Sequence, residues 1–299
     1  MQRRAFIGGL AATAALALGP SAFALPDPAR AGVARRYVDC AFGQLHLHVA
    51  RPEAPAITQP TLVLLHQTAL SARMFDRFLP VMAQDRIVIA VDTPGYGRSD
   101  RPAERPDLAG YGDAILDALL AEYGGSFDLL GYHTGAAIAA DLTARREAIG
   151  RTVLVSMPYF SDERRAKLVA QIDRPLNVED EYSADGSHLL SSWQGTFNAR
   201  AEGQTWDNVA NMVAEKQMAG RFGGWALLSA MEEDLGPRLD SIDKPVLVIA
   251  PHDGLEPQSR AAAAAIPSAQ LIEWPDAAFG LFDANPQRMA DTIRPFLKR

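Results

Sequence analysis

The side chains best suited to chemistry are histidines, and one of them stands inside a motif. Gly131-Tyr132-His133-Thr134-Gly135 follows the apolar run Phe127-Asp128-Leu129-Leu130 and opens an alanine-rich stretch from Ala136 to Arg145. A strand that passes into a helix through so short a turn forces its middle residue into a strained backbone, and only small residues fit two positions before and after it. The middle residue is His133. An imidazole titrates near neutral pH, so at such a turn it can take a proton from water or substrate, or attack an activated carbonyl carbon itself.

The other reactive side chains sit in plainer surroundings. Cys40 is the one cysteine, which excludes an intramolecular disulfide and a cysteine metal cluster. It falls in an early strand and reads as a buried structural thiol. His46 and His48 alternate with Leu45, Leu47 and Val49, the period of a half-exposed strand, which places both histidines on its solvent face. His188 lies in the turn sequence Asp185-Gly186-Ser187, close before Trp193, and is a candidate to reach a substrate. His66, His133 and His252 each end a strand-like run, but their spacing forms no metal motif. No glycine-rich phosphate loop or dinucleotide fingerprint follows the first strand, so no cofactor is expected.

What must position these groups is a buried sheet. Thr61–Leu65, Ile87–Val91, Phe127–Leu130, Val153–Val155 and Val246–Ile249 are short, continuous apolar runs, as in strands buried on both faces. Helical patterns lie at roughly 72–84, 107–123, 135–148, 255–266 and 285–298, and this alternation predicts an α/β fold with a mostly parallel, doubly wound sheet. From about 159 to 240 the alternation fails, in a polar segment holding Trp193, Trp206 and Trp225. It reads as a helical lid inserted after the sixth strand, between core segments 25–158 and 241–299, and folded over the carboxyl edge where ligands bind in open α/β sheets.

Several motifs in this order resemble the α/β-hydrolase superfamily. The pentapeptide 131–135 resembles its G-x-S-x-G nucleophile elbow with histidine in place of serine. Leu62 to His66 resembles the third strand, Asp92-Thr93-Pro94-Gly95-Tyr96-Gly97-Arg98-Ser99 the D-x-P-G-x-G-x-S loop, and Val246 to Asp253 the strand and loop that carry the acid. The resemblance implies Asp253 as partner of His133, and an oxyanion hole from the N–H of Thr134 with Gln67 or Thr68. It also implies departures: Phe279 occupies the usual place of the catalytic histidine, and His66-Gln67 replaces a His-Gly pair. A dead, relic elbow is the opposing reading. The retained glycines and a replacement that still titrates favour a working one. The ring of His133 is therefore expected at the floor of the main cavity with Phe279 near it. His66 matches a family position that is usually structural, and the expected pocket residues are His66, His188, His252, Trp193 and Phe279.

The implied activity is cofactor-independent hydrolysis of a small apolar ester or other carbonyl compound, with His133 as base or nucleophile. A lyase or isomerase using the same base and oxyanion hole, or a binding protein without turnover, are the alternatives. Composition agrees with an ordinary globular protein: of 299 residues 48% are hydrophobic, the net charge is -7, and no basic block marks a nucleic-acid partner. Arg3-Arg4, a short apolar run and Ala22-Phe23-Ala24 predict a cleaved twin-arginine signal over residues 1–24, hence a periplasmic or secreted protein with no membrane span after cleavage.

Overall fold

Apolar runs of four to six residues take their place in the middle of one sheet. The structure is a computed structural model and describes residues 32–52, 57–172 and 182–299; the expected signal segment lies outside these residues. The strands are β1 (Val33–Cys40), β2 (Gly43–Ala50), β3 (Thr61–Leu65), β4 (Val88–Val91), β5 (Phe127–Tyr132), β6 (Ile149–Val155), β7 (Val246–Pro251) and β8 (Ala269–Trp274). They form an eight-stranded sheet in the order β1-β2-β4-β3-β5-β6-β7-β8. β2 runs antiparallel to β1 and β4, and every other pairing is parallel.

Side chains alternate across the pleat, so each buried run feeds two cores. Val63, Leu65, Ile89, Leu129 and Val248 join the cluster on one face. Leu62, Leu64, Val88, Leu130 and Ile249 join the cluster on the other. The first face is covered by α2 (Leu108–Tyr123) and α3 (Thr134–Arg145), the second by α1 (Phe78–Met82) and the C-terminal helix Pro286–Leu297. That last helix buries Met289, Ala290, Ile293 and Leu297, one stripe at helical spacing. The doubly wound α/β expectation therefore holds. Instead of one helix over 72–84, the chain makes a 3-10 turn, Ala72–Phe75, and then α1, with Pro80 in its first turn, where a missing N–H costs little.

The histidines of β2 need a correction. His46 and His48 are each 4% exposed, not on a solvent face. β2 is an interior strand, and the turn Ala72–Phe75 packs on it. Each ring answers a buried carboxylate: His46 Nδ1 lies 2.8 Å from Asp92 Oδ2, and His48 Nδ1 2.5 Å from Asp76 Oδ1. Polar groups in that position are tolerated because they are paired. Asp92 also accepts the N–H groups of Ala72 and Arg98, which pins the loop after β4 beside the end of β3.

Between β6 and β7 lie the helices Asp162–Ile172, Ser187–Asn198, Trp206–Ala219, Trp225–Glu232 and Gly236–Asp240. Tyr96, in the loop after β4, fastens this insertion to the sheet: its hydroxyl donates to Gly223 O and accepts the N–H of Ala226, both at 3.0 Å.

Candidate active site

β5 ends and α3 begins at one residue, and that residue is His133, with φ 51° and ψ −119°. Such a positive φ is costly for a residue with a side chain. The turn is held by the N–H of His133 donating to Val155 O and by the N–H of Ala136 donating to His133 O, at 3.0 and 2.8 Å. The flanking glycines are sterically required. A Cβ on Gly131 would collide with the carbonyl of Gly135, and one on Gly135 with the carbonyl of Leu65 at the end of β3. The elbow is so tight because α3 starts pressed against the neighbouring strand's backbone.

His133 Nε2 is 3.0 Å from Asp253 Oδ2. Asp253 follows β7, two strands from the elbow, and its side chain is fully buried. Its carboxylate also accepts the Ser156 hydroxyl at 2.5 Å and the N–H of Leu255 at 3.2 Å. Burial by itself would raise the Asp253 pKa; the hydrogen bond and charge of His133, with Ser156 and the Leu255 N–H, outweigh it and hold the carboxyl below its usual range. An ionised carboxylate can only accept, so the proton between the two side chains belongs to Nε2; in the neutral ring the lone pair is then on Nδ1. A neutral imidazole held in this way can accept a proton at its second nitrogen.

Phe279 lies near His133. Its ring is stacked on that of His133 at 6.0 Å and 28°. Thr134, 3% exposed, opens α3, and its N–H is among the first four of a helix, which have no intrahelical acceptor. Gln67 and Thr68 form the loop after β3.

Two cavities flank this centre. One is lined by His133, Thr134 and Asp253 together with Phe160, Leu168, Ile172, Leu227 and Met231, and is largely apolar. The other is lined by Gln67, Tyr132 and Phe279, by the helix Trp206–Ala219 through Asn208, Asn211 and Glu215, and by Arg73, Arg77 and Asp283. The His133–Phe279 pair stands between them, so His133 borders the apolar cavity rather than the floor of a single main one.

Other expected pocket residues lie elsewhere. His66 is 2% exposed and lines neither cavity. Its Nδ1 donates to Gln67 O at 2.9 Å and its Nε2 accepts the N–H of Thr93 at 3.0 Å, which fixes the tautomer. Burial lowers its pKa, so it is a neutral brace behind the Gln67 loop. His252 is on the surface, 74% exposed and paired with Glu256, because the strand end turns its side chain away from Asp253. His188 accepts the N–H of Ser183 at 3.1 Å and meets the edge of Tyr182, closing its own turn. Trp193 stacks on Phe197 and Trp206 within the insertion. Neither His188 nor Trp193 borders a described cavity. Cys40 is half-buried, and burial raises its pKa, the state of an unreactive thiol. Among the described residues no cluster of three or more His, Cys, Asp or Glu side chains could hold a metal ion, and no helix is long and apolar enough to cross a membrane.

Sequence reading missed Ser156. It is fully buried, has φ 53°, and sits at the end of β6 against Asp253. Its place directly after an apolar run at the sheet's carboxyl edge is the available signal. Asp283 was missed too. Burial pushes its pKa up to about 6, against a hydrogen bond from Gln204 and the charge of Arg77. A pKa raised on folding means the stabilising proton is fully held below about pH 4 and is lost as the pH rises through 6. Asp283→Asn is therefore expected to raise stability by about 1–2 kcal/mol at pH 7.5 and to leave it unchanged at pH 4, read from urea midpoints at both pH values.

Residues 62–292 match the model of a family described as the Alpha/beta hydrolase family. Pimeloyl-[acyl-carrier protein] methyl ester esterase of Sodalis glossinidius is 27% identical over 210 residues, 66% of this chain and 77% of that protein. 2-(Acetamidomethylene)succinate hydrolase of Mesorhizobium japonicum is 23% identical over 199 residues, 64% and 69%. Among solved structures, a hydrolase from Pseudomonas aeruginosa superposes with a TM-score of 0.70 at 21% identity, over 89% of this chain and 98% of that one.

Proposed function

This chain belongs to the alpha/beta hydrolase family, and we propose that within it the chain hydrolyses a small ester or related carbonyl compound with a His133–Asp253 dyad in place of the serine triad. Enzymes named as an esterase and a hydrolase of small acids among its relatives support that reaction class. The observation that carries the reading is the 3.0 Å contact of His133 Nε2 with a buried carboxylate, made by a residue at the strained elbow.

In the usual triad the histidine bridges serine and aspartate. An imidazole on the elbow is long enough to span that gap itself, so base and elbow merge in one side chain. Nδ1 of His133 takes a proton from water as the water oxygen attacks the carbonyl carbon. The N–H of Thr134, with that of Gln67 or Thr68, receives the oxyanion. Collapse of the tetrahedral intermediate breaks the carbon–leaving-group bond, and the imidazolium returns its proton to the leaving alkoxide. Asp253 stabilises the imidazolium and fixes its tautomer without taking the proton. The apolar cavity holds an apolar part of the substrate. The helices between β6 and β7 act as the lid that excludes water.

Asp253→Asn keeps the shape but presents an amide, which can no longer enforce the proton on Nε2. kcat/KM on p-nitrophenyl butyrate is expected to fall about 10²-fold, less than on loss of His133, because orientation is removed and the base is not. An Asp253→Asn enzyme as fast as wild type removes Asp253 from the reaction. A wild-type protein that hydrolyses no ester in a short-chain panel, yet exchanges the α-proton of a carbonyl compound in deuterated water, turns the reading to a lyase or isomerase built on the same base.

A further inference from the structure

The cavity beside Tyr132 holds polar groups that the proposed hydrolysis does not use. Tyr132 is 2% exposed, immediately precedes the elbow histidine and lines this cavity; its hydroxyl has no partner among the described residues. Opposite, on the helix Trp206–Ala219, Glu215 keeps one carboxyl oxygen, Oε2, buried with no partner among the described residues. The rest of its carboxyl interacts with the Ser71 hydroxyl, and burial raises its pKa. Native proteins rarely leave buried polar atoms unsatisfied, and such an atom on a cavity wall marks a place where a bound group completes the bond. Neither atom is satisfied by a protein group among the described residues.

The charges of the lining balance. Arg73 acts on Glu215 and Arg77 on Asp283, each lowering the pKa of that carboxyl, while Asp76 is paired with His48. An anion in this space meets two carboxyls, and a cation meets two guanidinium groups. A neutral group that can both donate and accept, a hydroxyl above all, meets no such opposition and suits Glu215 Oε2 as acceptor and the Tyr132 hydroxyl as partner. The cavity on the other side of the His133–Phe279 pair has far fewer polar groups in its lining, whereas this one mixes them with Leu70, Met74, Met212 and Phe282. We propose that the substrate is bipartite: an apolar acyl part lies against Phe160, Leu168 and Met231, and a neutral hydroxyl-bearing part enters the polar cavity and is recognised by Glu215 and Tyr132.

This inference rests on the proposed hydrolase reading for where the carbonyl sits, and a binding measurement tests it without turnover. Three ligands share a butyryl chain: 2,3-dihydroxypropyl butyrate, propyl butyrate and the anionic carboxymethyl butyrate. Their Kd values are measured by calorimetry on full-length His133→Ala protein, and on wild type where the ester survives. The dihydroxypropyl ester is expected to bind about tenfold more tightly than the other two. That preference shrinks to less than about threefold in the doubly substituted His133→Ala/Glu215→Leu and His133→Ala/Tyr132→Phe proteins, whose fold is checked by circular dichroism. If one of these variants fails to fold, the other decides. Equal or weaker binding of the dihydroxypropyl ester, a preference for the anion, or a preference that survives both substitutions overturns the proposal. If the preference appears but wild type hydrolyses none of the esters, the hydrolase reading fails and the subsite stands.

Discussion

His133→Ser is expected to be as inactive as His133→Ala, although it rebuilds the family's usual elbow. The serine oxygen of a triad needs a base, and the sequence resemblance puts Phe279 in the place of that base; its ring stacks on His133 at 6.0 Å and can neither accept nor donate a proton. Asp253 remains, but it would face a short hydroxyl across the space the imidazole now spans. Both variants should lose about 10²–10⁴-fold in kcat/KM, the range of a positioned general base, with circular dichroism and thermal midpoint close to wild type. Activity restored by serine would require a second base at this centre and would overturn the role given to Phe279. The double variant His133→Ser/Phe279→His extends the test: it supplies both missing members, and recovery there with none in the single variant locates the defect at position 279.

Gly135→Ala is expected to be strongly destabilising for so small a change. The added methyl would strike the carbonyl groups of Leu65 and His66, which belong to a central strand and the loop that braces Gln67. A side chain could turn aside, but this backbone is held in register with β5 on one side and β4 on the other. Relief requires α3 to shift outward and lose contacts along its buried face, so about 3 kcal/mol or more of stability should go. Gly195→Ala is the control: it lies in the helix Ser187–Asn198 with nothing near its missing Cβ, and alanine there should be neutral or stabilise by about 0.5–1 kcal/mol. Urea midpoints of both variants make the comparison. A cost below about 1 kcal/mol for Gly135→Ala would mean that the turn is looser than its contacts imply.

These two variants also mark what was legible in the sequence. Glycine at both flanks of a strand-to-helix turn is a local signal, and so are the apolar runs of β3 to β7; local signals specify the sheet and the elbow. Asp253 and Phe279 were reachable because each follows a recognisable strand, and strand ends in such a sheet converge at one edge. His46 and His48 were misread for the opposite reason. Their alternation with Leu45, Leu47 and Val49 has the period of a solvent face, and the carboxylates that permit their burial, Asp92 and Asp76, lie 46 and 28 residues away. His252 adjoins Asp253 in sequence yet points to solvent, because the chain turns tightly after β7, with the Asp253 N–H donating back to Pro251 O. The polar cavity was invisible, since Tyr132, Glu215 and Asp283 come from three distant segments that only the packing of the insertion brings together.

The kcat/KM of His133→Ala, set against wild type on whichever short-chain ester wild type cleaves fastest, bears most directly on the dyad. With fold verified for both proteins, a loss of about 10²–10⁴-fold is predicted, and activity undiminished by the substitution would contradict the assignment of the reaction to His133.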